Sequence, residues 1–199
     1  MSSWHLEESG RGFTFLKDEP LDMRYNIRGI QNDLTAEKIV NSWPEEEIIK
    51  ILKEYGEERF AQRIVKKIIE NRERGVIKST FQLKETIKAA VPSWYQRQRI
   101  SFATRTFQAL RIAVNDELDN LKAVLPQALD ILEPGGRLVV ISFHSLEDRI
   151  VKHFFKSKID SLKILTKKPI TPSEEEIKIN PRSRSAKLRA IIKNNKDET

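Results

Sequence analysis

Ser142, His144 and Ser145 stand close together in the run Ser142-Phe143-His144-Ser145-Leu146-Glu147-Asp148-Arg149. Two hydroxyls and an imidazole, followed by two carboxylates, can hold a polar ligand by hydrogen bonds if the fold brings them to the rim of a pocket. The residues before them supply a reason to expect that. Pro134-Gly135-Gly136 is a turn signal, and Leu138 to Ile141 is a continuous apolar run, β-branched at three of four positions. Such a run predicts a strand buried on both faces, of the parallel-sheet type. Ser145 with Asp148 gives a capping-box pattern, and carboxylates in a first turn suit the helix dipole. The chain therefore reads strand, polar elbow, helix. In open α/β sheets ligands sit beyond the carboxyl ends of the strands, where Ser142, His144 and Ser145 would lie. The plainer alternative is that Ser145 only caps the helix and His144 is a hydrogen-bonded structural histidine.

Composition narrows the classes. The 199 residues are enough for one domain, or a domain with a sizeable insertion. A net charge of +7 points to an anionic partner, nucleic acid foremost, with a merely solvated basic surface as the alternative. There is no cysteine, so disulfides and thiolate metal sites are excluded. Three scattered histidines argue against a metal centre. No apolar run approaches membrane-spanning length and no signal-peptide core is present, so a cytoplasmic location is expected.

The elements that must position these groups follow in chain order. Residues 1–15 carry serines and paired glycines among aromatics and predict an ordered loop, neither helix nor strand, continued by Pro20 to Arg24; taken alone it suits a functional pocket wall and a surface Ω-loop equally. Thr35 caps a short helix, and Ser42 with Glu45 brackets Trp43-Pro44 as a second capping box. Ile48, Ile51, Leu52 and Tyr55 recur at helical spacing up to Gly56, and Phe60, Ile64, Ile68 and Ile69 extend an apolar stripe. Arg59, Arg63, Lys66, Lys67 and Arg72 read as that helix's solvated face. A third helix starts at Thr80 and stops at Pro92. Residues 93–106 then hold Trp94, Tyr95, Arg97, Arg99, Phe102 and Arg105 without one acidic residue. Aromatics interleaved with arginines can stack on bases and neutralise phosphates, although aromatic hinge residues between domains would look the same. Phe107, Leu110, Val114 and Leu118 mark an amphipathic helix over 104–119, and 121–132 continues it or forms another. Beyond the central strand, 162–165 predicts a short strand, 167–180 a charged loop, 181–185 a basic turn and 186–192 a final edge strand.

Six segments taken together resemble a known family. They are Ser2-Ser3 with Arg11-Gly12-Phe13-Thr14-Phe15; Pro20-Leu21-Asp22-Met23-Arg24; Tyr55-Gly56-Glu57-Glu58-Arg59-Phe60; Thr104 to Arg111; Ser142 to Arg149; and Asn180 to Ser185. In order and spacing they look like the ribosomal RNA small subunit methyltransferase H family along essentially the whole chain. The resemblance implies an α/β fold: part of a class I, Rossmann-like S-adenosyl-L-methionine-dependent methyltransferase sheet with an α-helical insertion. It implies residues 1–34 as a pocket loop, 35–102 as the insertion recognising RNA, and 103–199 as the C-terminal part of the methyltransferase domain. The activity implied is methylation at N4 of a cytidine in 16S rRNA of the small ribosomal subunit, with S-adenosyl-L-methionine as donor. Ser2 and Ser3 would line the pocket for the reacting amine and are the expected catalytic residues. His5 stands at a cofactor-contacting position where the family usually has glutamine. Arg97, Arg99, Arg105 and His144 are expected to meet the RNA.

This sequence departs from the pattern at its start. It begins inside the motif that the family enters through Asp-Leu-Gly, without the glycine-rich strand-to-helix turn and the acidic ribose ligand that precede it. Gly10-Arg11-Gly12 follows no predicted strand and does not replace them. The expectation is a C-terminal portion lacking the cofactor-binding strands: a sheet with a central strand and up to two edge strands, unpaired on its other side and inactive alone. It would be completed by a missing N-terminal half or a homodimer. The competing expectations are a non-enzymatic RNA-binding remnant and one half of a two-chain methyltransferase.

Overall fold

The computed structural model describes residues 4–5, 8–25 and 34–194, which divide into two compact units, residues 1–117 and 118–199. The division falls after Glu117. The reason is the helix Thr104–Asn115, whose Phe107, Leu110 and Val114 are buried in the same apolar cluster as Ile48, Leu52, Ile64 and Ile87.

The first unit is helical: α1 (Ala36–Ser42), α2 (Glu45–Glu54), α3 (Ala61–Arg72), α4 (Thr80–Ala90), the single turn α5 (Ser93–Gln96) and α6 (Thr104–Asn115). The α3 helix packs against α2 and α4, and α6 packs against α1 and α2. Thr35 caps α1 as its sequence suggests, its hydroxyl accepting from the Lys38 amide at 3.1 Å. The expected Ser42–Glu45 box does not form. Ser42 is the last residue of α1, Trp43 is extended, and Pro44 heads α2 without a side-chain cap. Glu45, Glu46 and Glu47 stand in the first turn instead and offset its unpaired amides electrostatically. Ser79 and Gln82 make the capping box of α4.

The opening segment differs from expectation at one point. Trp4 and His5 have helical backbone, and the Glu8 amide donates to the Trp4 carbonyl at 2.9 Å. The rest is an ordered loop sewn onto the helices. The Thr80 hydroxyl accepts from the Glu19 amide and donates to the Lys17 carbonyl, and Leu21 donates to Lys78. Asn115 at the end of α6 donates to the Met23 carbonyl and accepts from the Tyr25 amide. Phe13, Leu21 and Met23 are thereby fixed in the helical core. Gly12 is required here: its φ is +76°, and a β-carbon would strike the Pro20 carbonyl.

The α6 helix ends where Asp116 turns left-handed at φ 49°, so Leu118 belongs to the next helix, α7 (Glu117–Asp130), which contains Pro126. The second unit holds most of α7, then β1 (Arg137–Ser142), α8 (Ser145–Ser157), β2 (Leu162–Ile164), α9 (Glu174–Ile179), a 3-10 turn (Pro181–Ser185) and β3 (Lys187–Lys193). Leu125, Leu129, Val151, Phe155, Leu162 and Ile191 form its core.

The sheet corrects two expectations. Its order is β1-β3-β2 with both pairings antiparallel, Arg137 opposite Ile192 and Leu162 opposite Lys193. The C-terminal strand is therefore the middle one, and β1 lies at the margin of the described sheet. Nor is β1 buried on both faces. Leu138 and Val140 pack on the core, whereas Val139 and Ile141 are 52% and 54% exposed. A continuous apolar run shows that both faces are apolar, not that both are covered. A third correction concerns 167–180, which contains the helix α9 in place of a plain loop. The helix buries no side chain, so it leaves no apolar stripe to read. The Ser173 cap and three glutamates in its first turn support it.

Candidate functional site

The elbow after β1 is built around His144 rather than Ser145. His144 is the N-cap of α8: its Nδ1 accepts a long bond, 3.4 Å, from the Glu147 amide. The Glu147 carboxylate reaches back to the Phe143 and His144 amides at 2.8 and 3.3 Å. The capping box is thus one residue earlier than the serine pattern suggests, with imidazole nitrogen doing the work usually given to a hydroxyl or carboxylate oxygen. An accepting Nδ1 places the proton of a neutral ring on Nε2, which lies 3.5 Å from Glu147 Oε1. Ser142 is buried at the strand end.

Asp148 leaves the helix terminus and turns inward. Its carboxylate takes a bidentate pair of bonds from Arg189 of β3, at 2.7 and 3.1 Å, with Lys187 at 3.8 Å. The Arg189 bond holds the Asp148 carboxyl below its ordinary range, against the opposing effect of burial. The pair fastens α8 to the middle strand. Sequence spacing gives no sign of it, since the partners lie far apart in the chain.

In the first unit His5 lies among three rings, its centroid 5.3 Å from Trp4, 5.3 Å from Phe13 and 5.1 Å from Tyr25, each approached edge to face. Phe13 and Tyr25 stack on each other. Arg11 closes this nest, its guanidinium 5.3 Å from the Trp4 ring and bonded to the Arg24 and Tyr25 carbonyls. Desolvation first, and the Arg11 charge after it, lower the His5 pKa, so the imidazole is neutral near pH 7. A neutral ring can donate at one nitrogen and accept at the other. Ser2 and Ser3, the expected catalytic residues, lie outside the described residues.

A second cluster gathers residues from 55–60, α5 and the start of α6. Tyr95 is buried, and its hydroxyl donates to Glu58 Oε2 at 2.8 Å while Glu58 Oε1 accepts from the Phe60 amide at 2.9 Å. Burial, then the Glu58 bond, push the Tyr95 hydroxyl up to about 12. Trp94, next along the same turn, is 50% exposed. The Arg59 guanidinium sits over this group, 4.9 Å from the Trp94 ring, 5.0 Å from Tyr95 and 5.6 Å from Phe60. Arg59, read in sequence as part of a solvated face, is exposed and also stands on aromatic rings. The Glu58-Arg59-Phe60 block ahead of an amphipathic helix was the available signal.

The expected RNA arginines separate. Arg97 and Arg99 are exposed on the segment after α5. Arg105 is half-buried and donates to the Glu57 carbonyl at 2.6 Å, which makes it a tie between α6 and the 55–60 segment. His5 and the three arginines belong to the first unit and His144 to the second. The second unit also carries a basic groove of about 520 Å³ whose lining includes Lys152, Lys156, Lys163, Lys167 and Arg189. No helix among the described residues is long and apolar enough to cross a membrane.

Comparison with known proteins gives these features a context. Residues 1–194 match the model of a methylase family, so the chain is an α/β protein of the methylase class. It belongs to the MraW methylase family. A Kosmotoga olearia protein named ribosomal RNA small subunit methyltransferase H is 53% identical over 193 residues, covering 96% of this chain and 63% of the relative. Proteins of the same name from Heliobacterium mobile and Synechococcus elongatus are 51% and 52% identical, with 97% and 95% of this chain and 66% and 62% of the relatives covered. The chain spans less than two thirds of the length of these curated relatives.

Proposed function

We propose that this chain is part of an S-adenosyl-L-methionine-dependent methyltransferase acting at N4 of a cytidine in 16S rRNA, in the cytoplasm. The observation that carries the reading is the match of residues 1–194 to a methylase family whose relatives, about half identical, are named for small-subunit rRNA methylation. The net charge of +7 suits a polyanionic substrate independently. In this reading the three-stranded sheet is one side of a larger Rossmann-like, class I sheet.

The described residues fit one wall of the cofactor's site. The His5 nest offers flat apolar ring surfaces and a neutral imidazole able to bond a polar group, as an adenine-bearing ligand requires. The cofactor supplies an electrophilic methyl group when bound. This chain's own part is to orient and desolvate. His5 holds one polar contact, and Ser2 and Ser3, by resemblance, line the amine's pocket and accept hydrogen bonds from its N–H groups. His144 and the basic surfaces hold the RNA. Positioning of this kind provides most of the acceleration in a direct displacement.

The test combines the chain with small ribosomal subunits lacking the modification and methyl-labelled cofactor, followed by nuclease digestion and mass spectrometry. Label in N4-methylcytidine is the expected product when the chain is joined to the remaining portion of a curated relative, and none is expected from the chain alone. In calorimetry of the chain with S-adenosylhomocysteine, binding at about micromolar affinity, roughly −8 kcal/mol, would mean that the cofactor pocket is present without that portion. Absence of label even from the joined protein would favour a second reading, an RNA-binding remnant or one half of a two-chain enzyme. That reading has its own observation: among the described residues β1 pairs with β3 alone, which leaves its other edge for a further strand.

A further inference from the structure

We propose that Trp94 and Arg59 form a stacking site for an unpaired base of single-stranded RNA, a site that rests on the RNA substrate proposed above and adds a specific contact to it. The helical turn α5 carries two neighbouring aromatic residues of very different exposure. Tyr95 goes inward to the buried Glu58, and Trp94 keeps half its surface in water. The indole is nevertheless held in place, edge to face against Tyr95 at 5.8 Å and Phe60 at 5.9 Å. A fixed, exposed aromatic face loses little entropy when a flat ligand lies on it. Arg59 adds charge at that face. It stands over three rings, and no carboxylate lies within ion-pair distance of it among the described residues. Guanidinium on an aromatic ring keeps a second planar face and its in-plane donors, suited to base stacking and to a phosphate oxygen.

The surroundings select the ligand. Arg97 and Arg99 follow on an exposed segment, and residues 93–106 contain no acidic side chain. This combination of ring face and positive charge matches nucleic acid, with its alternating base and phosphate. Within a duplex the base faces are already covered by their neighbours, so the site takes a base from a single strand or loop.

Titration of the 199-residue chain with an unstructured oligocytidylate, with duplex RNA and with heparin tests this, read by tryptophan emission and by affinity. Oligocytidylate should quench the emission, and Trp94→Phe should remove most of the quench although Trp4 and Trp43 remain. Trp94→Ala should weaken oligocytidylate binding roughly ten- to a hundredfold, the span expected for one lost base stack. Heparin, which has charge without bases, should bind the variant and the parent alike. Trp94→Phe keeps a ring at a half-exposed position, so its quench decides the matter even if the alanine variant folds poorly. A full quench in Trp94→Phe, or equal loss of heparin and oligocytidylate binding in Trp94→Ala, would overturn the proposal. Normal methylation with no Trp94 effect on RNA binding would sink the stacking site and leave the methyltransferase reading intact. Trp94-dependent quenching without any methyl transfer would do the reverse.

Discussion

Asp148 shows how a single side chain can be placed correctly by sequence and still be misread. Its position suggests a charge in the first turn of a helix; the structure gives it a bidentate bond to Arg189 with both groups buried. Removing one partner of such a pair leaves the other charge uncompensated, at a cost of about 3 kcal/mol. Asp148→Asn should therefore lower stability by about that amount at neutral pH, measured by urea unfolding. The pH dependence has a defined sign. The folded-state pKa of Asp148 lies below its unfolded value, near 4, so its contribution is complete above about pH 4 and is lost as pH falls through the folded value. The stability difference between parent and Asp148→Asn should accordingly be constant from neutral pH down to about pH 5 and shrink below about pH 4. A gap that persists undiminished into strong acid would mean that the carboxylate charge is not what Arg189 requires.

At the scale of elements, the helices with one buried stripe were legible. The stripe through Ile48, Ile51 and Leu52 and that through Ile64 and Ile68 each became a helix with those residues inside. What escaped was whatever depends on distant partners or on no burial at all. β1 reads as an inner strand because its residues are apolar, yet the pairing that decides its place is made by β3 near the other end of the chain. α9 buries nothing and so has no period to detect. Of the candidate site, Trp94, Tyr95 and the arginines were visible as a composition, whereas the inward turn of Tyr95 and the tie through Arg105 were not. Gly56 makes that tie possible, because a β-carbon there would come 2.6 Å from the Arg105 carbonyl oxygen and 2.7 Å from that of Leu52. Both obstacles are backbone, so neither can swing aside. Gly56→Ala should push the 55–60 segment away from α6 and cost about 2 kcal/mol, within the range for strain in a packed core. It should also reduce the Trp94 quench by RNA, since Arg59 and Phe60 move with the segment. An alanine variant as stable as the parent would show that the two elements can separate freely.

Over the whole molecule, the question is how a net charge of +7 divides between attraction in general and recognition in particular. Charge contacts and base stacking respond differently to salt. Each phosphate neutralised on a single strand releases counterions and steepens the fall of log affinity with log salt by about 0.7, whereas stacking changes affinity without changing that slope. Arg97 and Arg99 are exposed and can be removed without disturbing a described hydrogen bond, while Arg105 holds the Glu57 carbonyl and its loss mixes folding with binding. The informative variant is therefore Arg97→Ala with Arg99→Ala, leaving Arg105 in place. Titrated with oligocytidylate over a salt series, it should bind more weakly at low salt, with a slope shallower by about 0.7 for each phosphate no longer neutralised, and should converge on the parent as salt rises. Trp94→Ala should give the complementary result, a line displaced downward but parallel to the parent's. If the double arginine variant keeps the parent's slope, the phosphates are neutralised elsewhere. The basic groove lined by Lys152, Lys156, Lys163 and Lys167 would then be the surface to alter next by the same measurement.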